Sequence, residues 1–543
     1  MKKIIAIGLV IVLFVTIASP VGNIMASGHD EYDYNTYADI LKVMGLFKGT
    51  EKGYETDRYA TRIEAAVMLI RLLGIEEKVL STTYDHPFTD VPGWADRYIG
   101  FMYQTGLTQG VGNNRFGSNL NVTPQQYTAF LLRALDYFEN QGDFTYDKAL
   151  DKGIEIGIYQ SEEINDINRD YLLSRGEMVY LSYNSLTVQI NSSTDRLIDK
   201  LNDLGVISEY CVNALGLTKF PEDIIRKGDS YIITSEKQLE ELILWAFYTG
   251  TERIVMDPSA YAKNINVDLP RILREKDMFS GMYKGAYFKW FLDSYEKVTK
   301  FELDIEYVMN KDKRELLIKS ACKILADLIK NEMSDYTKEL LIHDYIVNNT
   351  VYGYSEHCYD AYGALIQKEA VCQGYSRAML LLSSLAGIYC LEAVGTDEGV
   401  NHSWNIIRLD GDYYHVDVSY NDPVGSINVL RHYYFNVTDS DLEKTRQWDR
   451  TVYPVCDSIT YNYYKMNNTY LKDVSSMIKD MATGYKEGKR EFEYRLIEYN
   501  PDDFTRSGMK DVILRFSNEI TGVISQYSWV PYEKMKTVII TVK

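Results

Sequence analysis

Three residues in the second half of the chain have the types and order needed to attack a carbonyl. Cys372 opens the run Cys372-Gln-Gly-Tyr-Ser-Arg, His402 lies in Asn401-His402-Ser-Trp404-Asn, and Asp417 closes Tyr413-Tyr-His-Val-Asp417. A thiolate is a nucleophile, an imidazole can carry a proton near neutral pH, and a carboxylate can fix the imidazole tautomer. The chemistry is acyl transfer through a thioester, provided the fold brings the three groups together.

The elements that must position them can be read from spacing. After Cys372, apolar residues recur at Tyr375, Ala378, Met379, Leu382, Leu385 and Ala386, a helical period that Gly387 stops. Cys372 thus stands at a helix start, where free N–H groups and the helix dipole favour an anion. Residues 402–409 and 412–417 are β-rich and flank Asp410-Gly411, the signal for a hairpin with a two-residue turn. With that turn Leu409 faces Asp412 and Trp404 faces Asp417. His402 is then the diagonal neighbour of Asp417 on one face, roughly 7–8 Å away at Cα. A three-residue turn would flip the parity and separate them. Taken singly, each residue also has a plainer role. Cys372 could be a small buried hydrophobe or the partner of Cys358 or Cys390, and His402 could be a surface residue. His415 shares a strand face with Asp417 and is the rival base.

The segments Tyr362-Gly-Ala-Leu, Ala370-Val-Cys372-Gln-Gly-Tyr375, Gly387-Ile388, His402-Ser-Trp404-Asn405 and Gly411-Asp-Tyr-Tyr-His-Val-Asp417 resemble the bacterial transglutaminase-like (papain-like) superfamily. His343-Asp344-Tyr345-Ile346 and Tyr433-Tyr-Phe435-Asn-Val437-Thr-Asp439 extend the likeness over residues 310–460. The resemblance implies an α+β papain-like core with a Cys372, His402 and Asp417 triad. Gln373, where an acid is frequent, and Ser419-Tyr420, where Thr-Trp is frequent, depart from the pattern. The superfamily contains cross-linking acyltransferases, peptidases and catalytically dead members. It therefore implies thiol acyl transfer or hydrolysis on peptide or protein amides. The alternatives are a non-catalytic wall-bound scaffold and a structural S-layer subunit.

Residues 30–192 contain an internal repeat. Gly45, Gly106 and Gly157 are followed after 16, 17 and 17 residues by Thr61, Thr123 and Ser174. Glu64, Gln126 and Glu177 follow three residues later, the pattern of a capping box ahead of an apolar helix. Each unit reads as helix, glycine-containing loop, helix, over about residues 30–76, 86–139 and 144–192. With Phe88-Thr-Asp90-Val-Pro-Gly-Trp94-Ala, the set resembles three S-layer homology (SLH) repeats. That resemblance implies an all-α three-fold prism holding anionic secondary cell-wall polysaccharide. It assigns Arg62 and Arg175 to the carboxylate of a pyruvylated sugar, a role suited to a planar guanidinium. Pro124-Gln125 replaces that arginine in the second unit.

The remaining parts are read more coarsely. Lys2-Lys3, an apolar run from Ile4 to Ala18 and small residues near Ala26 form a signal peptide over residues 1–27. Its removal takes two lysines and moves the net charge from −19 to −21. No later segment has the roughly 18 apolar residues needed to span a bilayer. Residues 196–305 read as a helical connector and a small α+β module, with strands near residues 253–256 and 299–308 and helices at 235–245 and from Leu269. Residues 306–465 form the catalytic domain. Residues 466–543 repeat the α+β order faintly, with helices near 474–482 and 508–519 and strands near 492–496 and 536–542. The whole is a multidomain chain whose catalytic core is flanked by two related modules.

An acidic chain of 543 residues argues against nucleic acid as a partner. No phosphate loop, HExxH, paired CxxC or EF-hand pattern occurs, so neither cofactor nor metal is expected. The six scattered cysteines do not form a disulfide framework. The leader and the resemblance to SLH repeats imply a secreted protein held on the wall or S-layer of a Gram-positive-type bacterium.

Overall fold

The computed structural model describes residues 33–160, 171–258, 283–330, 333–422 and 430–543, with Val267, Leu269 and Ile272 besides. The leader expected over residues 1–27 and most of the helix expected from Leu269 lie outside the described residues.

The N-terminal part has three successive pairs of helices along the chain, Tyr34–Val43 and Arg62–Leu72, Asp96–Gln104 and Pro124–Ala134, and Ala149–Glu155 and Arg175–Ser185, and the first helix of each pair packs on the second helix of another. The second helix of each pair begins where the capping residues predict. The N–H groups of Thr61, Thr123 and Ser174 donate to Glu64, Gln126 and Glu177 at 2.9, 3.2 and 2.7 Å. The three helix starts meet. Ala60 N–H donates to Leu173 (2.8 Å), Leu173 N–H to Val122 (2.8 Å) and Val122 N–H to Ala60 (3.0 Å), a closed ring of backbone bonds among fully buried residues. The ring satisfies groups that burial would otherwise leave unpaired.

Short helices Leu197–Asp203 and Glu209–Ala214 lead to a five-stranded sheet, in the order Ile225–Lys227, Ser230–Ile232, Arg253–Asp257, Val298–Tyr307, Tyr283–Leu292. Helix Glu236–Thr249 packs on it. The C-terminal part has a four-stranded sheet, Tyr470–Leu471, Glu491–Leu496, Thr537–Val542, Tyr527–Tyr532, covered by helices Val474–Lys486 and Arg506–Glu519. In both sheets a strand, a helix and a parallel strand are followed by a hairpin whose last strand inserts next to the second.

Between them, helix Cys372–Leu385 is packed on several sides. Helices Lys311–Leu328 and Asp335–Asn349 contact it, as do Glu209–Ala214 and an antiparallel sheet. The sheet order is Asp412–Val416, Val400–Leu409, Cys390–Asp397, Arg446–Gln447. One apolar cluster runs from Tyr37 and Leu72 in the helical part through Leu317 and Leu382 to Phe435. A second joins Ala393, Trp404 and Ile406 of this sheet to Met535 and Ile539 of the last module.

A buried ionic group also ties that module down. His432 donates through Nδ1 to Glu493 (2.9 Å) and through Nε2 to Asp344 (3.1 Å), and its ring stacks on Tyr463 at 3.6 Å. Burial opposes the charged ring, but the two carboxylates outweigh it and raise the His432 pKa to about 9. A raised folded pKa means stabilisation that is complete below the unfolded value and fades as pH rises through about 9. Glu493→Gln leaves an imidazolium with one carboxylate partner and is expected to cost about 3–5 kcal/mol in chemical denaturation at pH 7. A variant with the wild-type midpoint at pH 7 would refute this role of the pair.

Candidate active site

The hairpin forms with the expected two-residue turn. Asp410 (φ 49°) and Gly411 (φ 94°) supply the two positive dihedrals that such a turn needs, and Asp412 pairs with Leu409. In this register His402 and Asp417 share a face, and His402 Nε2 lies 2.7 Å from Asp417 Oδ2. Both residues are buried. Asp417 thus takes Nε2, and the Cys372 side chain lies close enough to His402 to help raise its pKa. Cys372 is the first residue of its helix and is half-buried. Gly374 lets that helix start approach the chain before it, because a Cβ there would lie 2.3 Å from the Cys358 carbonyl oxygen. The structure thus brings Cys372, His402 and Asp417 together.

Charge follows from this contact. Burial disfavours the His402 cation, yet the Asp417 carboxylate, its hydrogen bond and the Cys372 contact together raise the pKa to about 9. For Asp417 burial works toward the neutral acid, but the charges of His402 and Arg446 and their hydrogen bonds lower it to about 2. The pair is therefore an imidazolium and a carboxylate at neutral pH.

Sequence reasoning missed two contributors. Arg446, fully buried on the edge strand, donates to Asp417 Oδ2 at 2.8 Å. Tyr352 is placed by two-residue parallel pairing with Glu369–Ala370, and its hydroxyl faces the backbone N–H of Cys372. Burial raises the Tyr352 pKa. Ser419 and Tyr420 depart from the common pattern but still serve Asp417: the Ser419 hydroxyl and the Tyr420 N–H donate to Oδ1 at 3.0 and 3.2 Å.

The rival base is occupied elsewhere. His415 accepts the Trp404 indole N–H at Nδ1 (3.0 Å) and donates from Nε2 to Asp439 (2.8 Å). Its Nδ1 lone pair is used, so Nε2 holds the ring proton. Hence the grouping of His415, Asp439 and Cys456, close enough for a metal, has no free imidazole nitrogen. His343, Asp344 and His432 are also close together. There His343 accepts from Asn421 (2.9 Å) and donates to Asp344 (2.8 Å), while both His432 nitrogens donate to carboxylates. These rings are closed by hydrogen bonds and offer no ligand lone pair.

The two arginines of the helical part occupy matching pockets. Arg62 Nε donates to the Phe116 carbonyl (3.1 Å) with its guanidinium 5.1 Å from the Phe116 ring. Arg175 Nε donates to the Tyr54 carbonyl (3.0 Å), 5.2 Å from the Phe47 ring. Their charge balance differs. Arg175 is buried and ion-paired with Glu64 at 2.6 Å, whereas Arg62 has no carboxylate partner among the described residues. Burial lowers the pKa of both.

Residues 323–418 match the model of the transglutaminase-like superfamily, and residues 87–127 match that of the S-layer homology domain. An endoglucanase of Bacillus sp. (strain KSM-635) is 38% identical over 81 residues, 15% of this chain and 8% of that one. A cell surface protein of Thermoanaerobacter kivui is 27% identical over 172 residues, 31% of this chain and 22% of that one. The matched stretches thus cover under a quarter of these relatives' own lengths. The crystal structure of a TGase aligns with 38% of this chain and 62% of its own at 14% identity and a TM-score of 0.19. The chain therefore combines a transglutaminase-like core with an S-layer homology domain.

All six cysteines are free thiols. Burial pushes the thiols of Cys211 (to about 12), Cys322, Cys358, Cys390 and Cys456 up and hides them from solvent. Brief treatment of the native protein with iodoacetamide should label Cys372 at least on the order of 10²-fold faster than the other five. Peptide mapping that finds equal labelling at any of those five contradicts this.

Proposed function

We propose that this protein is a cell-wall-held thiol enzyme that breaks peptide or protein amides through a Cys372 thioester. What carries the reading is the ring of His402, set between Cys372 and the Asp417 carboxylate at 2.7 Å. A protonated imidazole beside a thiol favours the thiolate. The sulfur attacks the amide carbon, and the carbonyl oxygen takes the negative charge. The Cys372 N–H and the Tyr352 hydroxyl next to it are the donors at hand for that oxygen. The C–N bond then breaks as His402 gives its proton to the leaving amine. The acyl group remains on sulfur. Water or a primary amine attacks the thioester, His402 takes the proton, and the thiolate is released. Water makes the protein a peptidase or amidase; an amine makes it a cross-linker.

Attachment is the second half of the proposal. The three helix pairs act as SLH repeats that hold the chain on secondary cell-wall polysaccharide, with Arg62 and Arg175 as the arginines facing glycan carboxylates. Arg62 is the stronger site, because its half-buried charge lacks, among the described residues, a counter-ion that Arg175 already has in Glu64. In co-sedimentation of the full chain with glycan-bearing wall sacculi, Arg62→Gln is expected to weaken binding about tenfold, in keeping with one charge-assisted contact. Equal loss from Arg62→Gln and Arg175→Gln would remove the distinction, and full binding by the double variant would remove the arginine assignment.

Catalysis is tested with casein as amide donor and a biotin-tagged primary amine as acceptor, followed by mass spectrometry of all products. Wild type is expected to give thioester-derived products with an alkaline limb near pH 9, where His402 loses its proton. Cys372→Ser should give none. Asp417→Asn should lose on the order of 10³–10⁴ in rate and bring the limb toward the ordinary histidine value of about 6.5. Product formation by Cys372→Ser would end the enzymatic reading.

A further inference from the structure

The carboxylate that orients His402 is itself held by a cation. Arg446 NH2 donates to Asp417 Oδ2 at 2.8 Å, and NH1 donates to Asp397 and Thr445 at 2.8 Å each. The guanidinium lies between two rings, 4.0 Å from the centre of Tyr420 and 4.8 Å from that of Tyr434. The Tyr420 hydroxyl donates to Asp397, and its ring stands edge-on to His402 at 5.1 Å. The Tyr434 hydroxyl is 2.6 Å from that of Tyr532 in the last module.

Stability alone accounts poorly for this group. The cation is fully buried, and its Nε has no hydrogen-bond acceptor among the described residues. Buried ion pairs are often no better than apolar side chains of the same size, and an orphan N–H carries an uncompensated desolvation cost. What the arrangement provides is direction. Ser419 and the Tyr420 N–H fix Oδ1, while His402 and Arg446 meet at Oδ2. Without the arginine the carboxylate could turn about its last bond and move Oδ2 out of the imidazole plane.

We propose that Arg446 is a positioning residue of the acyl-transfer site, locking Asp417 in the rotation that presents Oδ2 to His402. This rests on the Cys372, His402 and Asp417 reading above. The groups facing His402 are Asp417 and Arg446 from the sheet side, Cys372 from its helix, and Tyr420. Around Arg446 stand Asp397, Glu398, Tyr434, Tyr532 and Lys534. Because the Asp417 contact raises the His402 pKa more than the Arg446 charge opposes it, loosening Asp417 by removing Arg446 shifts the alkaline limb down, in the same sense as Asp417→Asn.

The test uses Arg446→Met and Arg446→Lys in the full chain, with kcat, KM, the pH profile and thermal unfolding measured together. Arg446→Met is expected to fold and to lose about 10²-fold in kcat, the scale of a small misplacement, with KM within about twofold. Its alkaline limb should move downward. Arg446→Lys, which keeps charge but cannot span Asp397 and Asp417 in the same fork, should recover part of kcat and restore the limb. Wild-type kcat in Arg446→Met overturns the proposal, as does a kcat loss with an unmoved limb. If Arg446→Met does not fold, Arg446→Lys decides, since full activity without the fork overturns it as well. Asp417→Asn separates the two levels. If it leaves kcat unchanged, the triad reading fails; if it abolishes kcat while both Arg446 variants keep theirs, only the role of Arg446 fails.

Discussion

A carboxylate taken out of water must be repaid by donors, and the second half of this chain is built around that requirement at Asp417. The residue ends a strand and caps the short helix Val418–Asn421, which supplies one N–H. The hairpin register supplies His402, and the edge strand Arg446–Gln447 supplies the cation. Four donors converge on two oxygens. The carboxylate is thereby kept ionised in an interior that would otherwise protonate it. The same saturation fixes its orientation, so the imidazole it pairs with has one pose. That pose sets the imidazole beside the sulfur at the helix start.

How much of this could be read from residues depends on range. The His402–Asp417 contact was legible because strands alternate with period two and Asp410-Gly411 selects a turn of known length. The Cys372 helix was legible from its apolar period. Arg446 carried no such signal. It lies 29 residues beyond Asp417 on a two-residue strand, and an isolated arginine ordinarily reads as surface. Tyr352 was hidden for the same reason, since a two-residue strand is too short to show a pattern. His343 and Asp344 bond to each other, to Asn421 and to His432. In the helical part the capping residues located three helix starts, but the ring through Ala60, Val122 and Leu173 is made of backbone and leaves no trace in side-chain identity.

The two flanking sheets share strand order and directions, yet they meet the core differently. The upstream sheet closes its own apolar cluster around Leu242, Phe301 and Leu303. The C-terminal sheet contributes Met535 and Ile539 to a cluster with Trp404, and Tyr532 to the pair of hydroxyls that ends at the Arg446 stack. Tyr532, Tyr434 and Arg446 form a continuous run of contacts from the last module to Asp417. The upstream module has no comparable chain to the site among the described residues.

The way the helical part joins the core bears on reach. Its helix Tyr34–Val43 lies along Lys311–Leu328, Lys42 donates to the Ala326 carbonyl, and both parts belong to one apolar cluster. Flexible linkers give a tethered enzyme a range that grows with linker length; a shared core gives none. Under the proposed attachment, Cys372 would then stand at a set height and angle above the glycan. Access to substrates would be decided by where their amides lie relative to the wall surface.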